Sequence, residues 1–243
     1  MNLMITPVAR PIAGLFVTGT DTGVGKTWFT AAIADNLRRH GKRPGVIKPV
    51  ATGSDNPYSD DTDAAVALRA AGWPVDRDFV DLANPVRFLA PAAPTVAARA
   101  EGKTCDWLDL VAAIRRSIAA WSERGADVLL VEGAGGVCCP LAEGRLTMLE
   151  LIRELDFPAL IVARKSLGTL NHSISAVRLL SFGPTRIAGV ALNCLPGEDP
   201  AGLPERTAAE ELSASIQPIP VLYDGPGSID SVRWADLLAA PRW

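Results

Sequence analysis

Histidine and paired cysteine are nearly missing from this chain. His40 and His172 are the only histidines, and Cys105, Cys138, Cys139 and Cys194 form no C-x-x-C pair. That argues against a Cys/His metal site, which needs several such ligands at fixed spacing. Cys138 and Cys139 are adjacent, which is poor disulfide spacing, so reduced thiols in a cytoplasmic protein are expected. No basic cluster is longer than Arg38-Arg39, and with a net charge of −3 nucleic acid is not a default partner. Apolar runs such as Val128–Val131 and Ala159–Ala163 fall far short of the ~20 residues a membrane-spanning helix needs. The opening MNLMITPVARP has no apolar signal-peptide core.

What remains is the composition of a soluble globular protein. Of 243 residues, 48% are apolar and 21% charged, enough to bury a real core. No repeat, low-complexity tract or convincing linker divides the chain, so a single domain spanning 1–243 is expected.

Short apolar runs alternate with helical periods. Ile12–Thr18 is continuous rather than alternating, as a strand buried on both faces of a parallel sheet would be. Lys26 to His40 carries Phe29, Ile33 and Leu37 at helical spacing and stops at Gly41. Pro44–Val50 predicts a second strand and Asp61–Ala71 a short helix ended by Gly72. Asp106 caps a long helix whose stripe runs from Trp107 through Leu110, Val111, Ile114 and Ile118 to Trp121. Further strands are expected at Ala126–Val131, Pro158–Ala163, Ile187–Leu192 and Ile219–Leu222. Helices are expected at Thr147–Leu155, Leu170–Leu180 and Glu205–Ser215, with 51–62 and 83–95 as loops. This alternation implies an α/β fold of three layers: a mostly parallel central sheet with helices on both faces.

Between the first strand and first helix stands GTDTGVGKT, residues 19–27. It nearly fits the phosphate-binding pattern G-x-x-x-x-G-K-[ST], but position 20 is threonine and Gly19 comes one residue early. The context is right for a P-loop. A helix N-terminus offers unpaired N–H groups and partial positive charge, and Gly23 and Gly25 let the backbone curl around a phosphate. Lys26 would place its ammonium on the β- and γ-phosphates, and Thr27 its hydroxyl on Mg²⁺. An ordinary glycine-rich turn is the alternative, but strand, loop, GKT and helix coincide.

Three further features point to the same sheet edge. VLLVEGAGG, Val128–Gly136, is a strand ending in Glu132, where an acidic residue could reach Mg²⁺, with Gly133, Gly135 and Gly136 allowing close approach of a ligand. Lys48 lies inside the apolar stretch VIKPVATG, which is costly unless the lysine is paired or functional; Thr52 adds a hydroxyl. In Asp60-Asp61-Thr62-Asp63, one carboxylate could complete the ion's shell.

Together these segments resemble the dethiobiotin synthetases, the ATP-dependent ring-closing enzymes of biotin synthesis. GTDTGVGKT resembles that family's own P-loop variant, early glycine included, and IKPVATG, VEGAGG and SLGTLNH (Ser166–His172) follow in the family's order. The resemblance spans about Leu15 to Leu222 and implies a P-loop NTPase-like fold. It implies 7,8-diaminononanoate, ATP and CO2 or bicarbonate as substrates, with Mg²⁺ as cofactor. One amine and CO2 would form a carbamate, the γ-phosphoryl group would pass to its oxygen, and the second amine would close a cyclic urea.

By the same resemblance, Lys48, Lys26 and Thr22 would be catalytic, and Thr27, Asp63 and Glu132 would hold Mg²⁺. The nucleotide would meet Gly23, Val24, Gly25, Lys26, Thr27, Trp28, Asp63, Glu132, Gly133, Ala134 and Gly135. Its adenine would be read by Asn193 beside Cys194 and lined by Pro220, Val221 and Leu222. Thr22, Lys48 and Thr52 would hold the carbamate and amine region. The family's homodimer would bring Gly168, Thr169, Leu170 and Asn171 of the neighbouring subunit to the substrate carboxylate. His172 would have no part in proton transfer. Gly23 stands where some relatives carry an acidic residue, and Cys138-Cys139 where aromatic residues occur.

Competing readings are disfavoured. A cobyrinate-diamide-type amidoligase needs a glutamine-hydrolysing domain for which the chain has no room. A regulatory ATPase switch of the MinD/ParA kind carries an early signature lysine, where this chain has Thr20, Asp21 and Thr22. A nucleotide-binding module without turnover would not release phosphate in response to both diamine and bicarbonate.

Overall fold

A computed structural model describes residues 12–193, 207–223 and 238. Its centre is a six-stranded, wholly parallel sheet. The strands are β1 (Ala13–Gly19), β2 (Pro44–Ile47), β5 (Val128–Glu132), β8 (Ala159–Arg164), β9 (Ile187–Asn193) and β10 (Val221–Tyr223), in the order β10-β9-β8-β1-β5-β2. Continuous apolar runs become its interior: Leu15, Phe16 and Val17, Leu129 to Val131, and Leu160 to Ala163 are essentially inaccessible to solvent. Each valine, leucine, isoleucine or phenylalanine so buried contributes about 1.5–3 kcal/mol relative to exposure.

Helices α1 (Lys26–Arg39), α2 (Asp63–Ala71), α5 (Trp107–Glu123), α6 (Met148–Leu155), α7 (Thr169–Ser181) and α8 (Thr207–Ile216) follow the expected periods. Their starts have local causes. Thr62 accepts a hydrogen bond from the Ala65 N–H, Asp106 from that of Asp109, and Thr147 with Glu150 forms a reciprocal capping box. Positions 205 and 206 of the expected helix Glu205–Ser215 lie outside the described residues.

The expected strand Pro44–Val50 is broken. β2 ends at Ile47, and β3 (Val50–Thr52) leaves the main sheet to pair in parallel with β4 (Val86–Phe88). The reason is Lys48-Pro49: proline has no N–H for a ladder and restricts the residue before it. The segments read as loops, 51–62 and 83–95, thus contain part of this small sheet, and the second ends in α4 (Pro94–Ala100). Helix α3 (Arg77–Ala83) and the antiparallel hairpin of β6 (Pro140–Ala142) and β7 (Leu146–Thr147) are also additions. The effect is positional. β1, β2 and β5 stop at one sheet edge, and the β3–β4 pair stands beside it as a wall.

Candidate active site

The ends of β2 and β5 and the first turns of α1 and α2 bring Lys48, Glu132, Thr27 and Asp63 together. Lys48 Nζ lies 2.6 Å from Glu132 Oε1 and 2.6 Å from Asp63 Oδ2. Thr27 Oγ1 lies 2.8 Å from Asp63 Oδ1 and 2.9 Å from Glu132 Oε1. Lys48 and Glu132 are buried, and Asp63 is partly open. Of the acidic cluster, Asp63 is the member that enters the site. Asp60 turns outward to Arg69, and Asp61 accepts from Ser59.

Burial alone would lower the Lys48 pKa, but the Glu132 and Asp63 carboxylates outweigh it and raise it to about 12. Burial acts on Asp63 in the opposite sense, and Lys48 with the Thr27 hydroxyl more than compensates, holding it below the usual carboxylate range. Lys26 differs. Its ammonium donates to the Asp21 carbonyl at 2.8 Å, and burial, then the nearby charge of Lys48, lower its pKa to about 8.

These groups line a cavity of about 580 Å³. Its floor is Thr22, Gly23, Gly25, Lys26 and Thr27 of the P-loop; Lys48, Asp63, Glu132, Ala134 and Gly135 form its centre. Thr52 joins Lys48 on the wall. The P-loop is closely fitted. Gly25 has φ 95°, and a Cβ there would lie 1.9 Å from Asn193 Nδ2.

The donor set fits a hard divalent cation: two carboxylates and a hydroxyl face one point, all through oxygen. Among the described residues no group of three or more His, Cys, Asp or Glu side chains could hold a metal. A cation here would therefore share its shell with the oxygens of a bound phosphate, as Mg²⁺ does.

A family model described as an AAA domain matches residues 13–225. A dethiobiotin synthetase of Anaeromyxobacter dehalogenans is 38% identical over 227 residues, covering 93% of this chain and 96% of its own. That of Methanocaldococcus jannaschii is 36% identical over 181 residues, covering 74% of this chain and 79% of its own. The chain belongs to the dethiobiotin synthetase family. Among solved structures, the hydrogenase maturation factor HypB of Archaeoglobus fulgidus superposes with a TM-score of 0.50 at 14% identity, covering 94% of this chain and 89% of its own. At that identity the likeness concerns the fold: a parallel sheet with a P-loop.

The other residues singled out from the dethiobiotin synthetase motifs are not among those that line the cavity. Val24 is fully buried, and its carbonyl accepts from the Asn193 side-chain amide at 2.9 Å. Asn193 ends β9 and is buried against the P-loop; β10 pairs alongside with Val221 opposite Val190 and Leu222 opposite Ala191, and the Pro220 carbonyl accepts from the Val190 N–H. Trp28 is half exposed on α1, and the Gly133 carbonyl lies 3.4 Å from Lys48 Nζ. Gly168, Thr169, Leu170 and Asn171 start α7 and are not part of this cavity's wall. Cys194 lies outside the described residues.

Sequence reasoning missed three features. Pro91, Ala92, Ala93 and Pro94, read as loop, form one cavity wall with Cys139. Arg164 closes β8 and holds the P-loop from outside, 3.2 Å from Asp21 Oδ2 and 3.3 Å from the Thr22 carbonyl. Asn84 donates to the Lys48 carbonyl at 2.7 Å. The signal that could have found Arg164 is a cation ending an otherwise apolar strand, as with Lys48.

Proposed function

We propose that this protein joins CO2 to 7,8-diaminononanoate and closes the ring at the expense of ATP, giving dethiobiotin, ADP and phosphate. The observation that carries this reading is the convergence of Lys48, Thr27, Asp63 and Glu132 beside a P-loop lysine in one cavity. Family membership supplies the reaction.

The chemistry needs two anions brought together. One substrate amine adds to CO2, losing a proton, and becomes a carbamate. A carbamate oxygen attacks the γ-phosphorus while the bond to the ADP oxygen breaks, giving a carbamic–phosphoric anhydride. The second amine then attacks the carbonyl carbon, phosphate departs with the bridging oxygen, and a cyclic urea remains. Repulsion between carbamate and triphosphate is the main barrier, so fixed positive charge and positioning are what the protein must provide.

With its pKa near 12, Lys48 stays cationic at neutral pH. It therefore acts as a fixed charge for the carbamate and the transferring phosphoryl group, not as a proton carrier. Lys26 and the backbone N–H groups of Gly23 to Thr27 receive the phosphates. Thr22 and Thr52 offer hydroxyls to the carbamate and amine region. Thr27, Asp63 and Glu132 would hold Mg²⁺, which when bound neutralises phosphate charge. Asn193, with Pro220 to Leu222, would receive the adenine.

We place the substrate carboxylate at the start of α7 in a neighbouring copy, in a homodimer. Gly168 to Asn171 lie outside their own chain's cavity, and the adjacent Leu167 is 97% exposed, an apolar side chain suited to an interface. A cytoplasmic setting suits the free thiols Cys105, Cys138 and Cys139; among the described residues no helix is long and apolar enough to cross a membrane.

The test is phosphate release measured with each substrate omitted in turn. Release that needs both the diamine and bicarbonate supports the synthetase. ATP hydrolysis indifferent to the diamine would support an ATPase switch instead.

A further inference from the structure

The break between β2 and β3 leaves the main chain of Lys48 without sheet partners, and one short segment supplies them. The Lys48 N–H donates to the Ala83 carbonyl at 2.6 Å. The Lys48 carbonyl accepts from Asn84 Nδ2 at 2.7 Å. Asn84 is buried and its amide is fully used: Nδ2 also donates to the Val86 carbonyl at 3.1 Å, and Oδ1 accepts from Arg87 Nε at 3.2 Å. Arg87 is held in turn by Asp81 Oδ1 at 2.7 Å, the Val80 carbonyl at 3.0 Å and the Tyr58 hydroxyl at 3.3 Å. Each Asn84 contact requires an amide. Two carbonyls need a donor group and a guanidinium needs an acceptor, which a carboxylate or an apolar side chain cannot supply together.

We propose that Asn84 is a positioning residue for Lys48: by gripping the lysine's main chain at the Lys48-Pro49 break, it sets where the ammonium stands against Asp63 and Glu132. Arg87 fixes which way the Asn84 amide faces. The inference rests on the reading of Lys48 as the group that holds the carbamate. The Asn84 side chain bonds to Lys48, Val86 and Arg87 and not to the P-loop, so nucleotide binding should be insensitive to it.

The test is a double-mutant cycle of Asn84→Ala with Lys48→Ala, reading kcat, KM for ATP and KM for the diamine, with the thermal midpoint as a folding control. A shift of the reacting groups by about 1 Å costs up to ~100-fold in rate, so Asn84→Ala should lower kcat by roughly 10- to 100-fold. KM for ATP should stay near the parent value. In the Lys48→Ala background the same change should cost nothing further. The same fold loss in both backgrounds, or an unchanged kcat in the single variant, overturns the inference while leaving Lys48 in place. Near-normal turnover of Lys48→Ala alone removes the reading beneath it. If Asn84→Ala does not fold, Arg87→Gln is read through the same cycle. A smaller loss confined to the Lys48 background supports the inference, and an unchanged kcat overturns it.

Discussion

Glu132 Oε1 accepts a hydrogen bond from Lys48 Nζ at 2.6 Å, joining residues 84 positions apart at the tips of two strands that pair with each other. The same oxygen lies 2.9 Å from the Thr27 hydroxyl, which opens the helix after the P-loop. The candidate transfer lysine and the candidate metal ligands therefore form one electrostatic unit, and the predictions concern its members.

Lys48→Ala should lower turnover by about 100- to 1,000-fold, the range lost when one preorganised charge-stabilising donor is removed. ATP should still bind, because the P-loop contacts do not involve Lys48. Steady-state kinetics beside nucleotide titration check this, and near-normal turnover would reject the role.

Glu132→Gln keeps the shape of the side chain and removes its charge. The Mg²⁺ concentration giving half-maximal activity should rise by at least ~10-fold, since even outer-shell changes at metal sites cost ~10–100-fold. An unchanged Mg²⁺ titration would count against ligation.

Lys26 gives the site a pH signature. Its folded pKa is about 8, against an ordinary value of 10.5. Between those pH values the unfolded chain holds a proton that the folded one has released, so stability attributable to this group rises with pH across the window. Below the folded pKa the penalty of burying the ammonium is present in full. Lys26→Met should therefore stabilise the nucleotide-free protein most below pH 8, with the gain shrinking as pH approaches 10.5. Denaturation of both proteins across that range measures it. Phosphates beside Lys26 would favour its charged form, so binding ATP at a pH near the folded value should take up roughly half a proton. Calorimetry in buffers of different ionisation heat should detect the uptake in the parent and lose it in Lys26→Met.

The two P-loop glycines should respond differently to alanine. Both have positive φ, 71° at Gly23 and 95° at Gly25. A Cβ at Gly23 meets nothing within 4 Å, whereas one at Gly25 lies 1.9 Å from Asn193 Nδ2. Gly23→Ala should cost only the left-handed backbone penalty of about 1–2 kcal/mol. Gly25→Ala should cost more and lose ATP affinity, because Asn193 must move away from Val24. Denaturant midpoints and nucleotide titrations separate the two.

Much of this site was legible because its chemistry is incompatible with its surroundings in the chain. A lysine within VIKPV and a glutamate closing VLLVE have no reason to be buried unless each meets an opposite charge, and they meet each other. Which aspartate of the DDTD run turns inward was not legible from composition. Thr62 decides it by capping α2, which places Asp63 in the first turn facing Thr27. Residues 83–95 read as loop, and 77–82 and 96–100 show no element, because α3 and α4 are short and carry too few large apolar residues to show a period, and β4 has only three residues. Asn84 was invisible for another reason. Its role is to replace ladder bonds lost at a proline, and that loss exists only once β2 and β3 have parted.

The most direct test of the account is oxygen transfer. With doubly ¹⁸O-labelled CO2, the diamine and ATP, the phosphate released should carry one labelled oxygen and the urea carbonyl should keep the other. Unlabelled phosphate alongside labelled dethiobiotin would contradict attack of a carbamate on ATP at Lys48 and Lys26.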